Sequence, residues 1–143
     1  MKPDDPVPDP QAQAAPRVLL VDDDEVNLLL TAHALRERGF EVIAARSGES
    51  ALESLGECLP DVVVLDALMP GLDGFQTCRR LRARGGLESL PVLMLTGLDD
   101  DGSISRAYEA GATDFFVKST QWSLLGGRLR HLEDHRFPHG EPV

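Results

Sequence analysis

The sequence predicts an α/β fold, a doubly wound parallel sheet of five strands, and three observations predict it. Short aliphatic runs recur without polar alternation, the pattern of strands buried on both faces: VLLV at 18–21, VVVL at 62–65 and VLML at 92–95. Between them lie segments whose apolar residues are spaced three and four apart, as on one face of a helix. Glycine, proline or a capping residue separates most runs from the next. Strands alternating with helices mean a parallel sheet whose crossovers cover both faces.

Taken in order, residues 1–16 hold five of the ten prolines, with Asp4, Asp5 and Asp9 and scarcely any aliphatic side chain. Such a segment cannot offset its ordering entropy and is expected to be a disordered leader. RVLLVD (17–22) is the first strand, and VNLLLTAHALRERG (26–39) an amphipathic helix ended by Gly39. Phe40 to Ala45 form a second strand, and Ser47 caps a helix carrying Ala51, Leu52 and Leu55. DVVVLD (61–66) is the third strand. Asp73 caps a third helix with Phe75, Cys78 and Leu81 inward. Pro91 to Thr96 form the fourth strand, and the fourth helix shows Ile104, Ala107, Tyr108 and Gly111 at helical spacing. Thr113 to Lys118 give a fifth strand, and Trp122, Leu125, Leu129 and Leu132 line a last helix. Gly126-Gly127 weaken that helix by about 1 kcal/mol each relative to alanine. The domain therefore runs from 17 to 133, followed by a polar tail at 134–143. Right-handed crossovers give the flavodoxin-like strand order 2-1-3-4-5.

Composition excludes several classes. A chain of 143 residues has room for one domain. Its formal net charge of -10 argues against nucleic acid and against an anionic membrane surface. Cys58 and Cys78 show neither metal nor redox spacing and are expected to pack as small apolar groups. His131, His135 and His139 recur every four residues, but Pro138 breaks the helix before the third, so no metal face is expected. No apolar run is long enough to span a bilayer and no signal peptide is expected, so the expected location is the cytoplasm.

The chemistry gathers at the strand ends. The first strand ends in Asp22 and Asp23, the third in Asp66 before a Pro70-Gly71 turn, the fourth in Thr96 and the fifth in Lys118. In a doubly wound sheet the first and third strands are neighbours, and the crevice beyond their carboxyl ends is where ligands bind. Three converging carboxylates repel one another, and hard oxygen ligands in such a cluster suit Mg2+ with room left for a phosphate. Lys118 adds a positive charge and Thr96 a hydroxyl. Asp24 and Glu25 are expected to be solvated or capping.

The set VDDDE, VVVLDALMPGLDGF, MLTG and GATDFFVK, in that order, resembles the receiver domain of bacterial two-component response regulators over residues 17–133. The resemblance implies that Asp66 is the phosphoacceptor, taking a phosphoryl group from a histidine kinase or histidine phosphotransfer protein as an aspartyl phosphate. It further implies that Asp23, Asp66 and the backbone carbonyl of Leu68 hold Mg2+, with Asp22 helping through a water. Thr96 then moves to bond the phosphoryl oxygens, and Phe115 is the switch aromatic that turns inward as it does. The kinase is expected near the crevice, on the first helix. Output is expected on the fourth helix, fifth strand and fifth helix, a face that also serves as a homodimer seam, with Trp122 either a contact anchor there or packed inside. The resemblance thus implies a signalling phosphoacceptor rather than an enzyme.

The sequence also departs from the family. Ser119 follows Lys118 where the family usually has proline, so a trans bond and a reshaped loop are expected. Leu68 and Leu98, two residues beyond Asp66 and Thr96, match positions that in the family influence how water reaches the aspartyl phosphate, and apolar groups at both imply a long-lived phosphorylated form. The phrase LDDDGSISRAYEAGATDFFVK, with QWSLLGGRLRHL after it, is similar to receivers placed ahead of cyclic-di-GMP turnover domains, so the chain is expected to be either a stand-alone receiver or part of a longer protein. Two rival readings stay open: a degenerate receiver acting as a phosphorylation-independent interaction module, and a Mg2+-dependent phosphatase-like enzyme. The second lacks a glycine-rich phosphate loop after the first strand.

Overall fold

Five parallel strands form one sheet: β1 (Arg17–Val21), β2 (Glu41–Ala45), β3 (Val62–Asp66), β4 (Val92–Thr96) and β5 (Asp114–Val117), in the order β2-β1-β3-β4-β5. This is the expected flavodoxin-like topology. The computed structural model describes residues 15–96, 101–117 and 129. Four helices lie between the strands: α1 (Glu25–Glu37), α2 (Gly48–Glu57), α3 (Gly74–Ala83) and α4 (Asp101–Glu109). Among the described residues, no helix is long and apolar enough to cross a membrane.

The sheet separates two apolar layers, as period-two alternation in the strands requires. On one face Val18, Leu20, Val62, Val64, Leu93, Leu95 and Phe116 meet Leu28, Ala32 and Leu35 of α1, together with Leu129. On the other, Leu19, Val21, Val63, Leu65, Val92 and Met94 meet α2, α3 and α4. Strands β3 and β4 are buried along their whole length, which explains why their sequences show no polar alternation.

Each sequence cap has a partner. The Asp24 carboxylate accepts from the Val26 and Asn27 amides, the Ser47 hydroxyl from Ser50, and Asp73 forms a reciprocal box with Gln76. Caps of this kind stabilise a helix by about 1 kcal/mol. Asp24 is thus the capping residue of its acidic run, which leaves Asp22 and Asp23 to the crevice. Pro16, the last residue of the expected leader, already lies against the sheet, its carbonyl accepting from the Glu41 amide at 2.9 Å.

Three readings need correction. Tyr108 does not line the core: α4 and its end turn Ala107 and Ala110 inward, while Tyr108 is largely on the surface. Nor does Gly111 continue the helix. At φ 102° it is left-handed, with its amide bonded to the Tyr108 carbonyl and the Ala112 amide to Ala107, a Schellman stop. Finally, α1 is not apolar on its inner face alone, because Val26, Leu29 and Leu30 face solvent. The sequence showed a continuous apolar run, and the helical period divides it between two faces.

Arg82 has no counterpart in the sequence reading. From the last turn of α3 its guanidinium donates to the carbonyls of Leu87, Leu90 and Gly111 and to the Thr113 hydroxyl, at 2.6–3.2 Å. It ties α3 to the strand entries of both β4 and β5. Burial pulls its pKa below the usual arginine value. Lys118, Leu98, Ser119, Trp122, Leu125, Leu132, Gly126-Gly127, the three late histidines, residues 1–14 and the 134–143 tail lie outside the described residues.

Candidate functional site

The site lies where the winding reverses. β2 flanks β1 on one side and β3 on the other, so the chain leaves β1 in one direction and returns in the other, opening a crevice beyond the strand ends. The Asp22 amide extends the β1–β2 ladder by donating to the Ala45 carbonyl at 3.1 Å, which fixes the backbone from which Asp22 and Asp23 project. The Asp22 carboxylate is folded back on its own turn, accepting from the Asp24 amide at 2.9 Å. Across the sheet Val21 registers with Leu65, so Asp66 stands beside Asp22 as the next pair.

Carboxylate oxygens of Asp22, Asp23 and Asp66 all come within 4.8 Å of one another. Asp22 and Asp66 are buried and Asp23 half-buried. Three acidic groups that close, two of them out of bulk water, repel one another, and a bound cation would offset that repulsion. The donors are hard oxygens on a rim open to solvent at Asp23, a set that fits Mg2+ with its retained waters. The sequence had paired these residues from strand ends alone, and the fold brings all three together.

The chain beyond Asp66 is shaped by close contact. The Leu68 amide donates to Asp66 Oδ1 at 3.2 Å, and the Leu68 side chain projects into solvent at the mouth of the crevice, 63% exposed. Gly71 takes the turn with φ 73°, and Met69 and Leu72 fold back into the core. Gly74 then starts α3 directly beneath the site, its amide bonded to the Ala67 carbonyl at 2.9 Å. A Cβ on Gly74 would lie 2.2 Å from the Asp66 carbonyl oxygen and 2.8 Å from Ala67 Cα. Gly74 reads in the sequence as a chain breaker; its role in the fold is to let a helix begin against the acceptor strand. No local signal distinguishes the two, because the contact is tertiary.

Thr96 ends β4 and is buried, and Phe115 is half-buried on β5. Met94 registers with Phe115 and Thr96 with Val117, so Thr96 and Phe115 are diagonal neighbours on one face of adjacent strands. That face belongs to the layer holding α4.

The family model for the response regulator receiver domain matches residues 18–130. Among curated proteins, the chain is 39% identical over 115 residues to transcriptional regulatory protein AfsQ1 of Streptomyces coelicolor, covering 80% of this chain and 50% of that one. It is 39% identical over 116 residues to response regulator PleD of Caulobacter vibrioides, covering 81% of this chain and 26% of that one. The chain thus spans half or less of the length of these two relatives. Among solved structures, a response regulator from Chloroflexus aurantiacus superposes with a TM-score of 0.80 at 36% identity, covering 84% of this chain and 98% of that one.

Proposed function

The chain belongs to the response regulator receiver family, and from that premise we propose that it is a working phosphoacceptor with Asp66 as the acceptor. The observation that carries the reading is the convergence of Asp22, Asp23 and Asp66 at the carboxyl ends of β1 and β3. A cluster without the acceptor carboxylate would suit a degenerate module, and here the acceptor is one of the three.

An Asp66 carboxylate oxygen attacks the phosphorus of a phosphohistidine, the new O–P bond forms as the P–N bond breaks, and the imidazole nitrogen takes the electron pair. Asp22, Asp23, Asp66 and the Leu68 carbonyl are the groups that would hold Mg2+. When bound, the cation supplies charge neutralisation for the transferring group. Asp22 is held by its bond from the Asp24 amide and Asp66 by that from Leu68, so both carboxylates are oriented before a donor arrives. Thr96 closes on the new phosphoryl oxygens, Lys118 pairs with their charge, and Phe115 follows Thr96 inward.

The donor is a histidine kinase or histidine phosphotransfer protein. Val26, Leu29 and Leu30 on α1 support docking there, since they are exposed apolar side chains at helical spacing on the helix that follows the acidic Asp22–Asp23 turn. Output through the fourth helix, fifth strand and fifth helix, with a homodimer as one form, rests on the family resemblance. A cyclic-di-GMP turnover domain in a longer parent protein rests on the resemblance of residues 98–118 and 121–132. Calorimetric titration of Mg2+ tests the site: the wild type binds, and Asp23→Asn and Asp66→Asn each weaken binding at least tenfold. Equal binding by all three proteins places the cation elsewhere and overturns the assignment.

A further inference from the structure

We propose that Tyr108 is a positioning residue that holds Phe115 in its resting orientation, so that the switch must break an aromatic contact before it turns. The proposal rests on the reading of Phe115 as the switch aromatic. Its basis is the geometry at the edge of the sheet. Among the described residues β5 is an outer strand, so Phe115 has its strand neighbour on the β4 side, where Met94 lies opposite it. Phe115 packs against the apolar layer that includes Ala107 and Ala110 of α4 and its end turn. Tyr108 adds a ring contact to that packing. Its ring meets that of Phe115 edge-on, with centroids 5.9 Å apart and planes at 88°, a favoured geometry for an aromatic pair.

Two further features fix Tyr108 there. The Schellman stop at Gly111 folds the chain back, so a residue at the end of α4 lies over the strand that follows. The Tyr108 hydroxyl donates to Asp114 Oδ1 at 3.4 Å, and that same oxygen accepts the Phe115 amide at 2.8 Å. That oxygen therefore holds the Phe115 backbone and adds a weak contact to the ring above it. A contact made in one of two states biases the equilibrium by its own free energy. A ring turned toward Thr96 leaves the edge of Tyr108, so the pair favours the resting state and lowers the apparent affinity for anything that needs the turned state.

The test compares wild type with Tyr108→Phe, Tyr108→Leu and Tyr108→Ala by two readouts. One is the affinity for beryllofluoride in excess Mg2+; the other is the Phe115 χ1 distribution in ligand-free protein, from side-chain NMR couplings. Removing the ring in the Leu and Ala variants raises beryllofluoride affinity about three- to tenfold, the range an aromatic pair can supply, and enlarges the minor Phe115 rotamer. Tyr108→Phe keeps the ring and stays within about twofold of wild type on both readouts, since a hydroxyl contact at 3.4 Å is weak. The Leu variant keeps an apolar cover, so it decides the matter if the Ala variant fails to fold. Unchanged rotamers and affinity in the ring-less variants overturn the latch and leave the phosphoacceptor reading standing. A wild type that does not bind beryllofluoride overturns that reading, and the ligand-free rotamers still decide whether Tyr108 holds Phe115.

Discussion

Replacing Gly74 by alanine perturbs the junction between acceptor strand and α3 with one methyl group, and the structure fixes its size. The new Cβ would stand 2.2 Å from the Asp66 carbonyl oxygen, 2.9 Å from its carbon and 2.8 Å from Ala67 Cα. Ordinary contact lies near 3.5 Å, so the closest approach is roughly 1.3 Å too short. All three atoms are backbone, which no rotamer change can move aside. Such overpacking costs about 1–3 kcal/mol, and the upper half of that range applies because the strand itself must shift. The midpoint of thermal unfolding should fall by about 6–10 °C. Gly56 in α2 is the control, since a Cβ there meets nothing within 4 Å. Gly56→Ala should gain about 0.5–1 kcal/mol from helix propensity. Circular dichroism melts of the three proteins, each followed by a Mg2+ titration, complete the assay. Gly74→Ala should melt lower and bind Mg2+ more weakly, because Asp66 moves with its strand; Gly56→Ala should melt higher and bind as wild type. A Gly74→Ala protein as stable as wild type, with unchanged Mg2+ affinity, would refute the close-approach argument.

Arg82→Met keeps the apolar stem and loses donors to Leu87, Leu90, Gly111 and Thr113, so it should destabilise by about 2–3 kcal/mol, read from urea unfolding. A loss under 0.5 kcal/mol would show that the clasp is replaced by water. Burial raises the Cys78 thiol, whereas Cys58 is half-buried with Arg17 Nη1 2.9 Å from its sulfur. A thiol reagent should therefore modify one cysteine in the native protein and two in denaturant. Because the folded Cys78 pKa is raised, its contribution to stability is intact below the ordinary thiol value of 9.0 and is lost as pH rises above it. Cys78→Ala should flatten that alkaline decline, and an unchanged slope would rule the linkage out. Leu68→Asn replaces an apolar group at the crevice mouth with one that can orient water, and should shorten the aspartyl phosphate half-life on the order of tenfold. Decay of the wild-type phosphoprotein within seconds would contradict the premise.

The parts of the fold that were legible in the sequence are those dictated by local periodicity. VVVL and VLML are apolar without alternation because both sheet faces are covered, and Asp24, Ser47 and Asp73 announce helix starts through their own short side chains. The acidic site was legible for a related reason: Asp22, Asp23 and Asp66 stand where strands end, and parallel topology brings strand ends together. What was not legible depends on contacts between segments far apart in the chain. Arg82 reads as a basic residue suited to the end of a helix, and only the loops folded around it make it a clasp. Tyr108 is next to buried Ala107 on α4, and the helical period turns it to the surface, where its ring meets Phe115. Val26, Leu29 and Leu30 have the composition of a core and yet lie exposed.

Intact-mass spectrometry after incubation with Mg2+ and acetyl phosphate, beside an Asp66→Asn control, tests the central claim most directly. One phosphoryl adduct on the wild type, absent from the variant and lost when Mg2+ is chelated, is the predicted result. An adduct of equal yield on Asp66→Asn, or none on the wild type, would contradict the assignment of Asp66 as the acceptor.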